Sequence, residues 1–191
     1  MTLLLVGILL FFSAHSVRIV ADPWRTRQIA RIGAMPWKGA YALISLAGLA
    51  LMIWGYGETR AAAELWSPPV WARHIAVLLT LPAFVLIVAA YLPGSHFRAS
   101  LGHPMLAGVK LWALAHLLAN GRPGDLVLFG TFLLWAIVAF VAARRRDRLA
   151  AAPRPEGSFK GDTLALVVGL VAWALFAALG HARLIGVSPL G

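Results

Sequence analysis

The stretch LVLFGTFLLWAIVAFVAA, Leu126 to Ala143, runs for eighteen residues without a charged side chain, and Arg144-Arg145-Arg146-Asp147-Arg148 follows it at once. Roughly 20 apolar residues cross a bilayer as a helix. The apolar side chains here fill the whole circumference of such a helix instead of one stripe, the pattern of a helix surrounded by hydrocarbon or by other apolar helices. The basic run behind it reads as an anchor at the membrane surface.

Five further blocks of the same kind lie at Thr2 to Val20, Ala40 to Tyr56, Ile75 to Leu92, Pro104 to Leu118 and Leu164 to Leu179. Breakers separate them: Asp22-Pro23, Met35-Pro36, Ser67-Pro68-Pro69, Pro93-Gly94, Gly121-Arg122-Pro123-Gly124 and the Pro153 to Gly157 stretch. Across the 191 residues, 61% are hydrophobic and 13% charged, against about a quarter charged in soluble domains. The expected fold class is therefore all-α, a polytopic transmembrane helical bundle of about six spans forming a single membrane domain over residues 1–191. That length leaves no room for a separate soluble catalytic domain.

The formal charge of +10 belongs with membrane lipid and not with nucleic acid, since no basic folded domain or groove-reading helix is present. Its distribution sets an orientation. Arg18, Arg25, Arg27, Arg31, Lys38, Arg98, Arg144, Arg145, Arg146, Arg148, Arg154 and Lys160 fall on one set of faces. Arg60, Arg73, Arg122 and Arg183 fall on the other, and Lys110 lies within a span. Both termini are accordingly expected outside the cytoplasm. The first span is expected to be retained, because its positive charges follow the apolar run where a cleaved signal has them before it. Trp24, Trp37, Trp54, Tyr56, Trp66, Trp71 and Tyr91 gather at the expected interfaces as an aromatic belt, whereas Trp112, Trp135 and Trp173 fall deeper.

Ionisable groups inside a span are costly and mark functional positions. The candidates are His15, His116, Lys110 and, nearer an end, Arg18. A neutral imidazole is the least costly of these to bury and a common metal ligand. His15 and His116, on different helices, therefore admit either a shared metal cofactor or interhelical hydrogen bonding. Their expected depths differ by roughly 6 to 8 Å along the membrane normal, a gap that a tilt of about 20° narrows. Gly108, Trp112, His116 and Asn120 recur at four-residue spacing on one helix, a face over which a flat macrocycle would pack. Arg18 shares the face of His15 nearer the membrane edge, where an anionic substituent would end. His103 begins the fourth span at a capping position, with a structural and a site role equally open. It lies thirteen residues before His116, about 20 Å along a helix. His74, His96 and His181 read as solvated interfacial residues. Lys110 either snorkels to the surface or meets an acidic group of a ligand.

Other chemistries are poorly served. There is no cysteine, hence no disulfide, thiolate ligand or Cys nucleophile. No Asp or Glu falls in an expected span, and no nucleotide-binding, zinc-hydrolase or Ser/His/Asp motif occurs. Neither broken helices nor an intramembrane ionisable relay favours a transporter.

The run Gly102-His103-Pro104-Met105-Leu106-Ala107-Gly108-Val109-Lys110-Leu111-Trp112-Ala113-Leu114-Ala115-His116-Leu117-Leu118-Ala119-Asn120-Gly121, followed by Leu128-Phe129-Gly130, resembles the signature region of the NnrU family, and Ala14-His15-Ser16-Val17-Arg18 resembles its first-helix motif. That family is associated by genetic context with denitrification and nitric oxide metabolism, and it is similar to the plant and cyanobacterial 15-cis-zeta-carotene isomerase. In that enzyme two histidines hold a b-type heme, and they correspond here to His15 and His116. The resemblance thus implies a bacterial inner-membrane protein binding heme b through His15 and His116; the helix faces read above add Arg18 and Trp112 as neighbouring cofactor-binding residues and His103 as an interfacial accessory. It implies either a redox or nitric-oxide-related role with a redox partner or, if the protein is an enzyme, heme-dependent cis-trans isomerisation of a lipid-soluble polyene. The family pattern carries Arg before the His-Pro pair. This chain has Gly102 there, with Arg98 and Arg18 as the nearest alternative charges.

Overall fold

The computed structural model describes residues 1–153 and 156–189. Arg154, one of the surface cations, and Pro155 of the Pro153 to Gly157 breaker lie outside the described residues. The helices are α1 (Thr2–Val20), α2 (Asp22–Ile32), α3 (Ala34–Thr59), α4 (Val70–Tyr91), α5 (His96–Leu101), α6 (Pro104–Ala119), α7 (Pro123–Leu149), α8 (Phe159–Leu175) and, after one π turn (Phe176–Gly180), α9 (His181–Ile185). No strand occurs among the described residues. Five helical stretches are long and apolar enough to cross a membrane: α1, α3, α4, α7 and the run from α8 through α9. The shorter apolar α6, with 16 residues, rises about 24 Å. The chain is an all-α polytopic membrane protein of about six spans.

Two breakers behave differently from their sequence reading. Asp22-Pro23 opens the polar helix α2 instead of merely ending α1. An acidic residue favours a helix start, and proline in the first turn gives up only an N–H that has no helical partner. Gly33, at φ +89°, then separates α2 from α3 in a conformation that disfavours side chains. Pro36 sits within the first turn of α3 for the same reason as Pro23. At the other end of the chain α7 continues through the arginine run to Leu149, since arginine is a good helix former and cations suit a helix C-terminus.

The chain forms two compact units, Met1–Glu64 with Arg122–Thr131, and Leu65–Gly121 with Phe132–Gly191. In the first unit α1 packs antiparallel on α3 through glycines. A methyl group at Gly7 would lie 2.5 Å from the Met52 amide nitrogen, and one at Gly48 would lie 2.7 Å from that of Phe11. One at Gly55 would collide with the backbone of Leu4. Small residues give this close approach in membranes, where van der Waals contact and not hydrophobic burial drives helix pairing. Towards its end α3 also meets the start of α7. The Tyr56 hydroxyl donates to Oδ1 of Asp125 at 2.6 Å, and the Arg122 amide donates to Oδ2 at 2.8 Å. Asp125, outside the span read from sequence, is thus a buried carboxylate in the first turn of a spanning helix.

In the second unit α4 packs against both α6 and α8. Gly108 of α6 faces the Ala83 carbonyl and Ile87, and Gly169 of α8 faces Val85. One helical turn from that contact the Trp173 indole N–H donates to Oγ1 of Thr80 at 3.1 Å. Ser95 and Ser158 cap α5 and α8, accepting from the amides of Arg98 and Gly161. The Ser158 hydroxyl also donates to the Gly94 carbonyl at 2.8 Å, and Asp162 accepts from both the amide and Nδ1 of His96. The two loops before α5 and α8 are thereby tied together.

Candidate functional site: intramembrane histidines

His15 belongs to the first unit. Its ring is half-buried, stacks on Phe11 at 3.9 Å and 19°, and stands 5.0 Å from the ring of Tyr41 on α3. Nδ1 lies 2.7 Å from the Phe11 carbonyl. A carbonyl oxygen only accepts, so Nδ1 carries the hydrogen, and in the neutral ring the lone pair is then on Nε2. This is the tautomer a metal-ligating histidine takes when its other nitrogen is held by a backbone carbonyl. Arg18 follows in the last turn of α1 and is exposed.

His116 belongs to the second unit and repeats the arrangement. Its Nδ1 donates to the Trp112 carbonyl at 2.8 Å, and Asn120 Nδ2 donates to the carbonyl of His116 at 2.8 Å. Trp112 stands 5.0 Å from the imidazole and presents an edge-on contact to Phe132 at 5.2 Å. One part of the sequence reading is corrected. Gly108 is buried against α4, where even a methyl group would sit 2.7 Å from the Ala83 carbonyl, so no macrocycle packs over it. At 3.6 residues per turn, four-residue steps drift around the helix, and Gly108 and His116 point to different neighbours.

A second correction concerns His181. Read from sequence as a solvated interfacial residue, it is half-buried, with its ring 6.4 Å from that of His116 and inclined by only 24°. Phe176 meets it edge-on at 5.9 Å. The Nδ1 of His181 donates to the Val187 carbonyl at 2.6 Å, which again leaves the lone pair on Nε2 in the neutral ring. The π turn just before it adds a residue to the helical turn and so re-aims the side chains beyond it; such turns recur at functional positions.

His103 occupies the position before α6 without a capping bond from its side chain. Instead its Nε2 lies 2.9 Å from Oδ2 of Asp147 on α7. The ammonium of Lys110 stands 3.8 Å from the centre of the Phe140 ring, a cation–π contact. His74 is exposed, as read. His96, also more than half exposed, is held by Asp162. Arg98 lines the same cavity as Gly102, and so does Arg144 of α7. Nη1 of Arg144 lies 2.9 Å from where a side chain at Gly102 would start, and Gly102 itself has φ +72°.

Among the described residues no three His, Asp or Glu side chains gather as a metal-holding group. The donors on offer are single imidazoles in the ligating tautomer, which suit a metal that brings its remaining donors with it. The fold and these positions define a polytopic α-helical membrane protein with histidines set into its spans. The family profile described as NnrU protein matches residues 3–189, and the chain belongs to the NnrU family. Comparison with curated proteins and with solved structures returned no match.

Proposed function

We propose that this NnrU-family protein binds heme b, which the imidazoles of His15 and His116 would hold, and serves a redox or nitric-oxide-related role in the bacterial inner membrane. The single observation that supports this most is the shared state of the two rings. Each donates from Nδ1 to a backbone carbonyl one helical turn earlier, which holds the imidazole in the form that ligates through Nε2. Bound heme b would supply one-electron chemistry, and affinity for diatomic gases where one histidine is released. The protein's own part is to orient the two rings and to pack them against aromatic side chains, Phe11 and Tyr41 at His15 and Trp112 at His116. The arginine bias supports an orientation with both termini outside the cytoplasm.

A reduced-minus-oxidised spectrum of the purified protein from heme-sufficient cells tests the reading. The wild type is expected to show a Soret band and sharp reduced bands, and His15→Ala and His116→Ala are each expected to lose or alter them. A wild type without Soret absorption, or variants that leave it unchanged, would overturn the proposal. Reporter fusions to each terminus, active only outside the cytoplasm, check the orientation.

A further inference from the structure

A cavity of about 840 Å³ in the second unit is lined by Arg98 of α5, Gly102 and His103 before α6, and Arg144, Asp147 and Arg148 of α7. Three guanidiniums face it against one carboxylate, and that carboxylate is already engaged by His103 at 2.9 Å. Among the described residues no carboxylate stands within ion-pairing distance of Arg98, Arg144 or Arg148. The cavity therefore carries uncompensated positive charge. Its location is also informative, because Arg144 directly follows the charge-free run that ends at Ala143. The cavity thus lies where the charge-free run of α7 ends, the level at which lipid headgroups are expected.

We propose that this cavity binds a phosphoryl anion, supplied by the headgroup of an anionic membrane lipid or by free phosphate. The planar guanidinium fork matches phosphate oxygens in paired hydrogen bonds, and basic pockets at the ends of spanning helices are a recognised setting for anionic headgroups. Gly102 contributes by what it lacks. A side chain there would begin 2.9 Å from Nη1 of Arg144, so the glycine leaves the space into which that guanidinium reaches. His103 contributes by occupying Asp147, which would otherwise compete for the arginines. The site is separate from the proposed heme ligation, since His116 stands thirteen residues beyond His103, about 20 Å along α6.

The test uses the full chain in neutral detergent, titrated with short-chain phosphatidylglycerol or with inorganic phosphate and followed by its thermal unfolding midpoint. A saturable rise is expected. Arg144→Gln and Arg148→Gln are each expected to raise the half-saturating concentration about fivefold. Arg145→Gln and Arg146→Gln, in the same run but off the cavity wall, are expected to leave it unchanged. Saturation by the lipid at about tenfold lower concentration than by phosphate supports the site with a lipid as source, and equal saturation supports it with free phosphate. No saturable rise with either probe, or equal weakening in all four variants, would overturn the site. Because the wild-type titration alone decides whether either anion binds, a variant that folds poorly leaves the test intact.

Discussion

The imidazole of His181 lies 6.4 Å from that of His116, nearly parallel to it. Under the proposed assignment His181 is a neighbour of the ligand and not a ligand. His181→Ala is therefore expected to keep its Soret band, and loss of a polar ring is expected to move the midpoint potential upward by roughly tens of millivolts, since drier surroundings disfavour the charged ferric form. Redox titration beside the absorption spectrum reads both. If His181→Ala loses the band while His15→Ala keeps it, His116 and His181 would hold the group, and the assignment of His15 is wrong.

The glycine contact between α1 and α3 gives an internally controlled experiment. Gly55→Ala places a methyl group into the Leu4 backbone, whereas Gly57→Ala, two residues on in the same helix, meets nothing within 4 Å. Gly55→Ala is expected to destabilise by about 1–3 kcal/mol through overpacking. Gly57→Ala is expected to be neutral or to stabilise by up to about 1 kcal/mol through helix propensity. Thermal unfolding in detergent compares them, and equal effects would refute the close packing.

Asp125 depends on Tyr56. Tyr56→Phe removes the donor at 2.6 Å from a carboxylate that is 5% exposed, and hydrogen bonds to charged groups contribute about 1.5–3 kcal/mol. A loss of that size is expected in unfolding measurements, shrinking when Asp125→Asn is already present. An undiminished effect in the double variant would mean that the hydroxyl acts elsewhere.

Trp173 and Thr80 are joined by an intramembrane hydrogen bond of 3.1 Å. Such bonds average about 0.6 kcal/mol and reach about 1.7 kcal/mol. A cycle of Trp173→Phe and Thr80→Val is expected to return a coupling within that range. A coupling indistinguishable from zero would show the contact to be energetically idle.

The spans were legible because hydrocarbon imposes a length and a composition that sequence displays directly. Leu126 to Ala143 falls wholly inside α7, and Thr2 to Val20 coincides with α1. Less of the local punctuation was legible. Asp22-Pro23 has the same appearance whether it ends one helix or begins another, and only the amphipathic run behind it turns it into α2. His15 and His116 stood out because apolar neighbours surround them in sequence. His181 did not, because its neighbour His116 is 65 residues away and the π turn that aims it at that ring has no sequence signature beyond Gly180. Charge near Gly102 was sought at Arg98 and Arg18; Arg98 does line the cavity there, but the guanidinium that lies against Gly102 comes from Arg144 on another helix. Positions within one helix follow from counting, but partners across helices depend on packing.

The glycine seam of the first unit bears on how the protein is made. Gly7, Gly48 and Gly55 have no rotamers to immobilise, so pairing α1 with α3 there proceeds without loss of side-chain freedom. The two helices are the first two apolar spans of the chain, and they emerge in succession during synthesis. The hairpin is thus able to close as soon as its second helix enters the bilayer.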